Sequence, residues 1–269
     1  MSFWVRGGEV LEESLITKML DTFDLKALIS VGAGALVTHM LHSWKSERAE
    51  KVTEVRCINA AVITAKNICE FSINLKKESF GPFYTKYSQQ HEEIDKAFSR
   101  YYSKPGNVEI TAHVNLLKIN KLDPPIFYLR SLVYEHMSAS PETISLVNFL
   151  ADALETLNSS IDYLNDLALE LSKIDKSNHQ MAIEKYFGRV SNDGHSDTRY
   201  PDTIDQVLRA LDATIFFSMK VCDELAKSSQ NIVNSIYVRK PTAISVSFAN
   251  EKREGLVPSD SEFPAWETK

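Results

Sequence analysis

Cysteine is scarce: Cys57, Cys69 and Cys222 are the only three in 269 residues. They are too few and too scattered for a disulfide framework or a cysteine zinc site, and they fit a reducing compartment for the main body. Glycine and proline are also scarce, at nine each, which excludes a collagen-like or low-complexity chain. Basic residues are not in excess. Lys and Arg number 30 against 36 Asp and Glu, a formal charge of −6, which argues against a general nucleic-acid coat; no DNA-binding signature is present. Only one stretch of low polarity invites comparison with a bilayer, so a multi-span membrane protein is excluded. Glu-x-x-His, His-Glu-x-x-His, phosphate-loop and Gly-x-Ser-x-Gly patterns are all absent. No cofactor and no metal is therefore expected.

That one stretch, Leu25–Trp44, reads LKALISVGAGALVTHMLHSW. As a helix it is about 30 Å long, close to a bilayer core. Lys26 and Lys45 bracket it, and Trp44 stands where an interfacial aromatic belongs. Ser30 and Gly34 are four apart, as are Ala27, Val31 and Ala35. Small residues at that spacing let helices approach closely in lipid. The spacing predicts a membrane or oligomer interface made of Ala27, Ser30, Val31, Gly34, Ala35 and Trp44. His39 and His42 favour the alternative, a helix buried in protein, since an imidazole deep in lipid is costly. Five acidic residues before the stretch, from Glu9 to Asp24, argue against an export signal. The basic residues after it, Lys45, Arg48, Lys51 and Arg56, place the C-terminal part in the cytoplasm of an inner or plasma membrane protein. A wholly cytoplasmic protein is the alternative. Upstream, Leu11, Leu15, Met19 and Phe23 predict an amphipathic helix within residues 1–24.

Three long heptad patterns follow. Val55, Ile58, Val62, Ala65 and Cys69 define the first, which Gly81-Pro82 is expected to end. Ser140-Pro141 opens the second, carried by Val147, Leu150, Leu154, Leu157, Ile161, Leu164, Ala168 and Leu171. The third starts near Tyr200-Pro201-Asp202 and runs through Ile204, Leu208, Leu211, Ile215, Cys222, Leu225 and Ile232 to Ile236. Ser218 and Ser229 interrupt it, and mid-helix hydroxyls of this kind bond back to the carbonyl one turn earlier. The apolar faces are broader than a two-stranded seam needs, which predicts a bundle interior. Shorter helices are expected at 89–102, 125–138 and 178–187. Residues 107–117 alternate like a strand but also fit a helix capped by Asn107, and a helix is expected there. Ile244, Val246 and Phe248 alternate with polar residues, which predicts a strand. The charged, proline-bearing end of the chain reads as a flexible tail, with Trp266 in it. His91-Glu92-Glu93 reads as a solvated helix face.

Within one expected helix, Arg130-Ser131-Leu132-Val133-Tyr134-Glu135-His136 separates an Arg and a His by five residues. This resembles the Arg-x(4–6)-His motif of HEPN-domain proteins, helical bundles that often cut RNA as dimers. The resemblance covers seven residues, and Arg189 to His195 matches the same pattern. It implies that Arg130 would bind or polarise a phosphate and that His136 would act as general acid or base, RNA being the partner. A membrane segment joined to such a bundle is also similar in architecture to the membrane accessory proteins of CRISPR systems, which implies a role in antiviral defence.

Together these readings predict a mainly α protein: a long-helix antiparallel bundle with an N-terminal hydrophobic, transmembrane-type helix. The expected divisions are an amphipathic helix at 1–24, the hydrophobic segment at 25–44, the bundle at 45–240 and an extended or flexible tail at 241–269. The function expected first is that of a membrane-anchored, self-associating, non-enzymatic bundle, such as a membrane effector or pore-like assembly. A HEPN-like RNA-cleaving or RNA-binding protein and a soluble oligomeric scaffold are the alternatives. A homo-oligomer and membrane lipid are the expected partners.

Overall fold

A computed structural model describes residues 25–103, 113–175, 178–190 and 194–263. The predicted helix within 1–24, and Trp266, lie outside them. The protein is mainly helical, and among the described residues it has no β-strand, only an antiparallel bridge between Val190 and Ser196. It forms two compact units, Met1–Thr53 and Glu54–Lys269.

Helix α1 runs from Leu25 to Asn74 without a break, so the predicted segments at 25–44 and from 45 onward share one helix. In the first unit, every described residue from Gly34 to Glu47 is exposed.

The second unit holds the core. Val55, Ile58, Val62, Ala65, Ile68 and Cys69 of α1 are buried at heptad spacing, as expected. Helix α1 does not end at Gly81-Pro82. It passes through a π-helical stretch, Leu75–Phe80, into α2, Gly81–Ser103. Proline has no N–H to continue an α-helical ladder. The wider π turn absorbs this defect: the Gly81 N–H reaches back to the carbonyl of Lys76. A Cβ on Gly81 would lie 2.5 Å from that carbonyl oxygen, so this turn admits only glycine without distortion.

Helix α3 is Ile126–Glu135. Helix α4, Pro141–Ser172, starts as predicted, with the Ser140 hydroxyl accepting the Thr143 N–H. Helix α5, His179–Phe187, is capped by Asn178 and closed by Gly188 at φ 66°. Helix α6 is Arg199–Asn234 and α7 is Ala249–Arg253. Contacts fix the directions. Asn59, Val62 and Cys69 meet Ser229, Cys222 and Ile215 in turn, so α1 and α6 are antiparallel. Phe149 stacks on Phe217 while Glu170 meets Arg199, so α4 and α6 are antiparallel too. Ser218 bonds back to Thr214, as expected; Ser229 instead faces Asn59 of α1.

Two expectations fail for one reason. Of the helix expected at 107–117, the part before His113 lies outside the described residues and the rest is not helical, and residues 244–248 form no strand. At the far end of the described residues the Phe263 ring stacks on Phe216 at 4.2 Å. Both non-helical segments are straps lying on helices, and asparagine side chains hold their backbones. Asn158 accepts from Leu122 N–H and donates to Leu122 C=O, at 2.9 and 2.8 Å. Asn165 does the same to Ile119, at 3.0 and 2.8 Å. Asn59 donates to Thr242 C=O and accepts from Ile244 N–H, at 2.8 and 3.0 Å. No periodicity of apolar residues reports such a clamp.

Replacing Asn158 or Asn165 by Ala strands one N–H and one C=O of a half-buried strap. Each variant should lose about 1–3 kcal/mol of unfolding free energy in a urea titration. An Asp at either site keeps only the accepting half and should also fall below wild type. Full stability of both alanine variants would refute the clamp.

Candidate functional site

Helix α3 buries Leu129, Leu132 and Val133 and turns its other face outward. On that face the Arg130 Nη2 lies 3.4 Å from Asn148 Oδ1, and the Tyr134 hydroxyl donates to the same oxygen at 2.5 Å. Arg130 Nε is buried and has no hydrogen-bond partner among the described residues. His136 follows the last residue of α3, is half exposed, and has its Nε2 3.9 Å from Glu135 Oε2. Six residues at about 100° each put the two positions roughly 120° apart around the helix axis. Among the described residues Arg130 and His136 have no common partner. The second match to the motif is engaged elsewhere: Arg189 forms an ion pair with Asp95.

Arg130 lines a groove of about 430 Å³ between the 121–126 strap, α3 and α4. Lys121, Phe127, Glu155, Ser159 and Asp162 share its wall, and Lys121 is paired with Asp162. Phe127, 81% exposed, stands at its rim. Mixed charge and an open aromatic suit contact with a ligand or segment better than acid–base chemistry, which needs proton donor and acceptor within hydrogen-bond reach.

A second cluster joins α2, α5 and α6. The rings of Tyr87, Tyr186, Phe187 and Tyr200 pack within 4.7–6.5 Å of one another. Burial raises all three phenols, Tyr186 to about 12, so none is a neutral-pH base. Of His91-Glu92-Glu93, the two glutamates are exposed, while the partly exposed His91 has its Nε2 3.2 Å from the Phe187 carbonyl and its Nδ1 3.5 Å from Asp95. Burial likewise pushes up the Cys69 and Cys222 thiols, which keeps them from acting as nucleophiles. Among the described residues no group of three or more His, Cys, Asp or Glu could hold a metal ion.

The N-terminal unit carries a cluster of exposed large apolar side chains. Leu36, Val37, Met40, Leu41 and Trp44 are all exposed, between 44% and 70%. At 100° per residue they occupy about 140° of arc, and Thr38, His39, His42 and Ser43 fill the opposite side. Among the described residues no helix is long and apolar enough to cross a membrane. Of the predicted interface residues, Gly34, Ala35 and Trp44 are exposed, with open space around Gly34. Ala27, Ser30 and Val31 are helical, and their side chains lie outside the described set. By helical spacing the small residues centre roughly 120° from the large apolar stripe. Sequence reading missed that stripe by weighing mean polarity over sidedness.

No protein-family model matches the chain, and no curated protein or solved structure is significantly similar to it.

One charged network ties α4, α5 and α6 together. Glu170 accepts from Lys185 at 3.2 Å and from Arg199 at 3.1 Å, and Asp197 accepts from Arg199 at 2.7 Å. Hydrogen bonds from Lys185 and Arg199 hold Glu170 below the usual carboxylate range, and Arg199 does so for Asp197. A carboxylate lowered in the folded state stabilises above its unfolded pKa, and that contribution is lost as pH falls through the folded value. Below about pH 4.5 the melting temperature of wild type should therefore fall more steeply than that of Glu170→Gln, measured by circular dichroism. Parallel curves would dissolve the network's role. The effect is small, because the groups are partly solvated.

Proposed function

We propose that this protein is a non-enzymatic, self-associating helical bundle that works at a membrane surface, using the Gly34–Trp44 part of α1 as its contact element. One observation carries the reading: the exposed, one-sided stripe of Leu36, Val37, Met40, Leu41 and Trp44. Covering five such side chains yields roughly 5 kcal/mol per chain, given about 1.5–3 kcal/mol for complete burial of each and their half-exposed state. Two copies pairing through the stripe double that to about 10 kcal/mol, within the range of the about 4–15 kcal/mol cost of association. Sidedness also decides how lipid would be met. A spanning helix is apolar all round, whereas a stripe backed by His39, His42 and Lys45 lies in the plane of the interface. Trp44 beside Lys45 suits that level of the membrane.

Light scattering on the eluting full-length protein tests this. Wild type should exceed the monomer mass, and the triple variant Leu36→Ser, Met40→Ser, Leu41→Ser should elute as a monomer with an unchanged helical spectrum. A monomeric wild type that also stays off lipid vesicles would end the proposal.

A second reading, contact with RNA, is favoured by Arg130 and Lys121, two cations that line one groove beside the exposed Phe127. His136 stands apart from that groove's lining, so RNA-cleavage activity, assayed with Arg130→Ala and His136→Ala, should be absent from wild type and both variants alike. RNA binding by wild type that Arg130→Ala alone abolishes would install the second reading, whereas cleavage that both substitutions abolish would overturn both readings in favour of an RNA-cleaving enzyme.

A further inference from the structure

The chain between α6 and the C-terminal strap is fixed at both ends. Ile236 is buried, and Thr242 is held by Asn59. Of the five residues between them, Tyr237, Val238, Arg239 and Lys240 are exposed, Tyr237 to 90%. Arg239 has φ 48°, the one positive value among the described non-glycine residues. Glycine adopts that conformation freely, whereas any side chain adds strain. A charged residue thus occupies a position where backbone geometry alone favours glycine. Neither Arg239 nor Lys240 forms an ion pair among the described residues. From Leu225 to Asn250 the sequence has no acidic residue, only Lys227, Arg239 and Lys240, in a chain of net charge −6.

We propose that the Tyr237–Lys240 loop docks on an anionic membrane surface, its cations on lipid phosphates and its Tyr237 and Val238 side chains in the interfacial layer. An aromatic with a polar tip, an aliphatic neighbour and two adjacent cations match the chemistry of that layer. Nucleic acid is the weaker match: an exposed valine has no use against a phosphate backbone, and two cations make a small electrostatic footprint on an acidic protein. The inference rests on the membrane-surface part of the function proposed above, but on different residues, so the two can fail separately.

The test is co-sedimentation of the full-length protein with phosphatidylcholine vesicles, with and without phosphatidylserine. Wild type should bind the serine-containing vesicles preferentially. Arg239→Gln with Lys240→Gln should weaken that binding at least about tenfold. Tyr237→Ala with Val238→Ser should weaken binding while leaving the preference for phosphatidylserine. Thermal melts of each variant should match wild type, since these side chains hold nothing in the fold. Binding that ignores phosphatidylserine, or loop variants that bind like wild type, overturns the inference. If the loop variants lose a gel-shifted RNA instead of vesicles, it is overturned in favour of nucleic acid. Wild type that binds no vesicle ends the loop proposal, while oligomer mass still reads the stripe on its own. A stripe variant that keeps its preference for phosphatidylserine supports the loop whatever the stripe does.

Discussion

Extended chain laid across a helix has a backbone problem: its N–H and C=O groups find no ladder there, and buried ones must be paired. Here asparagine amides solve it, because a primary amide presents one donor and one acceptor side by side, like a peptide edge. Asn59, Asn158 and Asn165 make six hydrogen bonds to strap backbone in this way. Spacing makes the Asn158–Asn165 pair work. Seven helical residues advance about 10.5 Å, and three extended residues advance about 10 Å. Asparagines seven apart on α4 therefore meet strap residues three apart, Leu122 and Ile119. The register of the strap, the start of α3 and the position of the Arg130 groove, which Asn158 helps to line, all follow from this match.

The π turn at Leu75–Phe80 serves the same end by another route. Were the helix to stop at Gly81-Pro82, the aromatic series Phe80, Phe83, Tyr84 and Tyr87 would have no shared face. Carried through the turn, Phe80 at its end and Phe83 and Tyr87 on α2 are buried, and Tyr87 meets Tyr186 and Tyr200. Lys76, at the start of the turn, donates to Asp212 at 2.6 Å and to the Leu256 carbonyl at 3.1 Å. Burial raises the Asp212 carboxyl, and the Lys76 ammonium pulls it back. The irregular turn thus contacts both α6 and the segment after α7.

Heptad positions such as Ile58, Leu157 and Ile215 were legible because burial repeats with the helix, and each is buried. The Ser140 cap was legible because capping is local. The clamps were not, because Asn158 and Asn165 look like ordinary polar residues on the edge of an apolar face. The passage through Gly81-Pro82 was hidden by a rule that holds for α-helices and fails for one wider turn. The Arg130–His136 pair was read from spacing within seven residues. Whether two side chains share a partner depends on where the helix ends, and α3 ends at Glu135, before the histidine is reached.

Where the titratable groups sit bears on what kind of function the surface carries. The thiols of Cys69 and Cys222 and the phenols of Tyr87, Tyr186 and Tyr200 are buried and held protonated by desolvation. Reactive anions at neutral pH therefore do not come from the core. Features turned outward include five large apolar side chains on one side of α1, the Arg130 groove beside an exposed Phe127, and a cationic aromatic loop after α6. Each is an unmet demand for contact, apolar in the first case and polar in the others, and none requires a proton or electron to move. Physical incompleteness of this kind is what a recognition surface has before its partner arrives. That is why we propose binding for this chain, with lipid and further copies of itself as the chemistry that would meet the demand.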